Sequence, residues 1–102
     1  VGSSNVLSPE VAASHGGSAT WTSLRPERIE VVTTGAGVPT GYASARGKVS
    51  VVSYQGAVTR ITVVTDKLPL VASVPATTPF NKGDEVTIAW PMAAMVSMGD
   101  AA

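Results

Sequence analysis

Cysteine is absent from the 102 residues, so neither a disulfide nor a thiolate metal ligand can hold this chain together. Charge of one sign is lacking too. Seven basic residues balance seven acidic ones, and without a basic excess no electrostatic footprint for nucleic acid exists. No apolar run approaches the roughly 18 residues that a membrane-spanning helix needs. The start shows no charged segment followed by an apolar one, so no signal peptide is expected. A first residue of Val, not Met, is expected of a processed or excised chain.

Chemistry-bearing patterns are equally sparse. A P-loop requires spaced glycines followed by lysine and a hydroxyl residue, and Gly35-Ala36-Gly37 meets none of that, which leaves a flexible turn. Histidine occurs once, His15, beside Ser14 in a glycine-rich stretch. It reads as a solvated turn residue in preference to the base of a hydrolase triad. The acids are scattered, and the adjacent pair Asp84-Glu85 would point to opposite faces of a strand, so no metal site is expected. Five aromatics, Trp21, Tyr42, Tyr54, Phe80 and Trp90, are spaced for core packing and not for a base-stacking ladder.

What remains is rich in Val, Ile and Thr and broken every ten residues or so by Gly or Pro, the pattern of a small all-β sandwich or barrel. We expect a single domain over 1–102. A first strand is predicted from Asn5 to Val11, closed by a reversal at Ser14 to Gly17, and a second from Thr20 to Leu24. The second should carry Trp21 and Ser23 on one face and Thr22 and Leu24 on the other. Pro26 fixes its own φ and forces Arg25 towards extended geometry, so the chain should turn a corner before the strand Ile29 to Val32.

Thr33 to Gly41 reads as a loop. A long bent strand, Tyr42 to Ser53, follows, with Gly47 as bulge or barrel corner. Ala57 to Thr65 comes after a turn at Tyr54 to Gly56, and Asp66-Lys67 turns into a strand with Leu68, Leu70, Ala72 and Val74 on one face. Asn81 to Asp84 is a tight turn into Glu85 to Trp90, with Val86, Ile88 and Trp90 inward. Met92, Met95, Val96 and Met98 form a short helical turn or an edge strand whose apolar side needs cover.

Two sets of candidate binding residues follow. Thr33, Thr34, Ser44, Lys48 and Lys82 are the hydroxyl and ammonium groups available to a small oxyanion. Arg25 and Glu27 flank the proline corner. The plainer reading makes them a turn charge pair, and the functional one makes them a contact with another domain or subunit.

The ordered blocks Gly2-Ser3-Ser4-Asn5-Val6-Leu7, Arg25-Pro26-Glu27, Gly47-x-Val49, Tyr54-x-Gly56, Phe80-x-x-Gly83-Asp84-x-Val86 and Trp90 resemble the transport-associated OB (TOBE) domain that ends ABC-importer ATPases. The motifs are most similar to those of polyamine (spermidine/putrescine) importers, then ferric-iron importers. Two stretches depart from the pattern, Asp66-Lys67-Leu68-Pro69 and Pro91 to Met95. The resemblance implies an OB-like, TOBE/MOP-like barrel that is not itself an enzyme. It implies a regulatory, dimer-stabilising tail whose partners are a second copy, the parent's ATPase domain and, through it, an inner-membrane permease. ATP and Mg belong to that ATPase domain, which is absent from this chain, and the location implied is the cytoplasmic face of the cell membrane. The alternative is a stand-alone module that binds a small oxyanion such as molybdate, and a small hydrolase relying on His15 comes third.

Overall fold

The computed structural model describes residues 4–33, 37–66, 68–77 and 79–98. Its architecture is all-β, an OB-like barrel built from two antiparallel sheets. The smaller contains β1 (Asn5–Leu7), β2 (Thr22–Leu24) and β8 (Val96–Ser97), in the order β1-β2-β8. The larger contains β3 (Glu30–Thr33), β4 (Tyr42–Gln55), β5 (Val58–Thr65), β6 (Pro69–Pro75) and β7 (Glu85–Pro91), in the order β3-β7-β4-β5-β6. The larger sheet curls until β6 lies against β3 and the proline corner.

The first strand is shorter than its apolar pattern predicts. It stops at Leu7, and a helix, α1 (Pro9–Ser14), takes the rest. The local signals are clear in hindsight. Ser8 caps the helix by accepting from the Val11 amide at 3.4 Å, Pro9 opens it without needing a donor, and Glu10 sits in its first turn. Gly16, at φ +87°, ends it, with Gly17 N–H donating to Ala12 O at 2.9 Å and Gly16 N–H to Ala13 O at 3.2 Å. Six residues are too few to reveal a helical period.

The corner forms as expected. Pro26 is buried at the start of a 3₁₀ turn, Pro26–Arg28, which carries the chain from the small sheet to the large one. On β2, Thr22 and Leu24 face the core and Ser23 lies on the other side, as the two-residue period requires. On β6, Leu70, Ala72 and Val74 face inward, and on β5 the inward set is Thr59, Ile61, Val63 and Thr65.

Strand β7 departs from simple alternation. Val86, Ile88 and Trp90 are inward as predicted, but Thr87 and Ala89 are buried as well. The reason is position: β7 lies between β3 and β4, whose side chains close over its outer face. Ala89 sits in register between Glu30 and Ser44, and the Tyr42 hydroxyl donates to the Glu30 carboxylate at 3.3 Å, linking the two strands that flank it.

Two further expectations are corrected. The bulge in β4 is at Ser50, between the pairs Val49–Val63 and Val51–Thr62, not at Gly47. Gly47 serves a close approach instead: a Cβ there would lie 2.5 Å from the Val64 carbonyl oxygen and 2.7 Å from Val63 Cγ1. Backbone cannot yield as a flexible side chain can, so Gly47→Ala should cost about 1–3 kcal/mol in urea unfolding. A loss under half of that would mean β4 and β5 can part without harm. The aromatics also differ, since only Trp90 is enclosed. Phe80 packs at the core's edge, whereas Trp21 and Tyr54 are 44 % and 70 % exposed. Trp21 precedes β2 in the outward phase of Ser23, and Tyr54 lies near the hairpin tip beyond the bulge.

The side chain of Asn5 joins the two sheets at their edges. Asn5 on β1 donates through Nδ2 to Val71 O at 2.9 Å and to Leu24 O at 3.1 Å, and its Oδ1 accepts from Val71 N–H at 2.8 Å. A carboxamide has the donor and acceptor of a peptide group, so Asn5 pairs with β6 as a neighbouring strand would. The tail does both things foreseen for it. Met92–Ala94 is a 3₁₀ turn, and β8 adds an edge strand to β2.

Candidate functional site

Strand register brings part of the first candidate set together at one end of the large sheet. Thr33 closes β3 opposite Val86, Val86 pairs with Gly47, and Lys48 lies opposite Glu85. The Lys82 turn is bonded to the residue after Lys48: Gly83 N–H donates to Val49 O at 2.7 Å, and Val49 N–H to Asp84 O at 2.9 Å. Thr34 lies outside the described residues. Ser44 is four residues before Lys48 along β4, about 13 Å away at strand rise, so it does not join them.

A cleft of about 560 Å³ opens beside this rim, lined by Arg46, Lys48, Val64, Asp66, Glu85 and Val86. Its charges cancel. Arg46 and Lys48 in its lining are matched by Asp66 and Glu85, and in the adjoining turn Lys82 is matched by Asp84, whose carboxylate accepts from the Asn81 amide at 2.9 Å. Thr65 is already engaged, because its hydroxyl donates to Leu68 O at 2.6 Å. The rim therefore gathers polar groups without an excess of positive charge.

Arg25 and Glu27 are at the other end of β3, on the proline corner. Arg25 Nη1 and Glu27 Oε2 are 3.9 Å apart, with side chains 61 % and 59 % exposed, so the pair is worth about 0–1 kcal/mol at most. Sequence reasoning missed their neighbour. Arg28 N–H donates to Arg25 O at 3.0 Å, closing the 3₁₀ turn Pro26–Arg28 on its extended N-cap residue, Arg25. Arg25, Glu27 and Arg28 line a second cleft, of about 470 Å³, together with Ser4, Ser23 and Ala94. The spacing Arg-Pro-x-Arg was the signal available for it.

His15 is not the solvated turn residue expected. It is half-buried, its ring centroid 5.4 Å from that of Trp90 at 45°, with Nδ1 at 2.9 Å from Val11 O and 3.1 Å from Ser14 Oγ. These contacts make it a support for the core tryptophan. Among the described residues no group of three or more His, Cys, Asp or Glu is placed to hold a metal ion, and no helix is long and apolar enough to cross a membrane.

The family model of the TOBE domain matches residues 22–98, and the chain belongs to that family. No curated protein sequence matches the chain. Among solved structures it is similar to the cytoplasmic molybdate-binding protein ModG in a molybdate-bound form. The TM-score is 0.68 at 10% sequence identity, over 85% of this chain and 68% of that one. At that identity the likeness is one of fold.

Proposed function

We propose that this chain is a non-catalytic binding module whose ligand is a small oxyanion. The observation that carries this reading is the likeness of its β architecture to ModG, a protein described as molybdate-binding. Serine hydroxyls and guanidinium groups in a cleft of this chain offer chemistry of the right kind. Titration with sodium molybdate and sodium sulfate, followed by melting temperature, tests it. Saturable stabilisation is expected, reaching about 2.7 kcal/mol when free anion is a hundredfold above Kd. An unchanged melting temperature at millimolar anion would remove the reading.

A second reading is favoured by the ordered motifs. Arg25-Pro26-Glu27, Gly47-x-Val49, Tyr54-x-Gly56, Phe80-x-x-Gly83-Asp84-x-Val86 and Trp90 all lie inside the matched span 22–98. In this reading the chain is the regulatory tail of an importer ATPase of the polyamine or ferric-iron type. It would work at the inner face of the membrane through its parent and a permease, with ATP and Mg held by the parent's ATPase domain. Paired tails would raise the effective concentration of one ATPase domain near the other, and a ligand would bias the cycle only through differential affinity for two arrangements. An in-frame Gly-x₄-Gly-Lys-Ser/Thr segment upstream of Val1 in the coding DNA is the expected observation. A dimeric mass by light scattering at micromolar concentration is expected as well, because Trp21, Val96 and Met98 leave an exposed apolar side on the small sheet. A monomer would argue against pairing.

A further inference from the structure

We infer that the oxyanion is taken at the proline corner, between Arg25 and Arg28, and not at the Lys48–Lys82 rim. This inference rests on the oxyanion reading above and gives it a location. The two sites differ in charge balance. The rim cleft is lined by two cations, Arg46 and Lys48, and two carboxylates, Asp66 and Glu85, whereas the corner cleft has two guanidiniums against the single carboxylate of Glu27. An anion entering the rim would meet as much repulsion as attraction, and one entering the corner meets a net positive site.

The corner also has its polar groups uncommitted. Among the described residues, neither the Arg28 guanidinium nor the Ser23 hydroxyl has a hydrogen-bond or ion-pair partner, and Arg25 is held only by the loose 3.9 Å contact with Glu27. Guanidiniums supply planar donor pairs that match two oxygens of a tetrahedral anion, and serine hydroxyls supply the remaining donors. Pro26 makes the arrangement stiff, because it fixes the backbone of the 3₁₀ turn that sets Arg25 and Arg28 three residues apart. Ala94, buried in the lining, gives the cleft an apolar surface beside these donors. The backbone then needs no reordering when the anion arrives, and the ordering cost falls on the two exposed guanidinium side chains.

The ligand class is therefore a tetrahedral oxyanion, free or as the head of a small ester. Sodium sulfate, sodium molybdate and glycerol phosphate, titrated calorimetrically into the whole chain, separate those sources. Arg28→Gln is expected to raise Kd about tenfold, the loss of a charge-assisted hydrogen bond. Glu27→Gln is expected to tighten binding by up to about fivefold, since it removes a competing carboxylate. Both side chains are exposed, so melting curves should stay near that of the parent chain. Opposite signs in the two variants would support the corner. If the parent binds and the loss instead follows Lys48→Gln or Lys82→Gln, the rim is the site and the inference fails alone. If no anion binds the parent chain, the oxyanion reading itself fails.

Discussion

Trp90→Ala is expected to destabilise the barrel by about 3–5 kcal/mol, the range for removing a large aromatic from a packed core. Trp90 is the largest fully buried side chain, at 0% exposure, and it lies on β7, which is flanked by β3 and β4. Its loss would open a cavity bordered by His15, whose ring packs against the indole, and by the inward residues of the flanking strands. Domains of this size have total stabilities of about 5–15 kcal/mol, so the variant would retain little reserve. Urea unfolding followed by far-UV circular dichroism measures this, with the exposed Trp21 left as a fluorescent reporter. Trp90→Phe is the informative comparison. The indole Nε1 is buried without a hydrogen-bond partner among the described residues, so removing that donor should relieve a desolvation cost that partly offsets the smaller ring. A midpoint shift for Trp90→Ala worth less than 1 kcal/mol would show that the core closes without the indole.

Asn5→Ala comes next, at about 2–4 kcal/mol. The substitution strands three backbone groups, Leu24 O, Val71 O and Val71 N–H, in a partly buried position, and stranded groups cost more than the bonds they made were worth. Asn5→Asp should do no better. A carboxylate still accepts from Val71 N–H but cannot donate to either carbonyl, and its charge would be held beside two oxygen atoms in a site 9% exposed. Hydrogen exchange gives a second readout. If Asn5 joins the two sheet edges, the Val71 amide should lose protection in the alanine variant while amides in the middle of β7 keep theirs. Equal protection in both proteins would mean that β1 and β6 are held together by packing alone.

These two residues also mark where sequence reasoning reaches and where it stops. Trp90 reads as inward from the period of its own strand, because Val86, Ile88 and Trp90 fall at every second position of the seven-residue strand Glu85–Pro91. Asn5 carries no such signal. Its partner Val71 is 66 positions away, and no local pattern says that a carboxamide will stand in for a strand. The helix Pro9–Ser14 lies between these cases: its cap, its proline and its terminal glycine are all present in the chain, but six residues show no periodicity.

The candidate site divides in the same way. Thr33, Lys48 and Lys82 are legible as oxyanion-suited residue types, and their grouping depends on the register of β3, β7 and β4. The same packing sets Glu85 opposite Lys48, Asp84 beside Val49, and Asp66 just after Thr65, the β5 partner of Gly47, and so decides that the charges cancel. Arg28 looks like an ordinary surface charge until the fold brings it into one cleft with Arg25, with Ser23 of β2 and with Ala94 of the 3₁₀ turn Met92–Ala94.

By itself, then, the order of residues determined what depends on near neighbours. That includes the all-β character, the proline corner at Arg25-Pro26-Glu27, the inward faces of β6 and β7 and the absence of cysteine chemistry, because backbone sterics and side-chain period act within a few residues. Tertiary structure alone decided the clasp at Asn5, the double burial of β7, the crossing at Gly47 and the charge balance of each cleft. Those depend on which strands become neighbours, and that is settled by the packing of the whole chain.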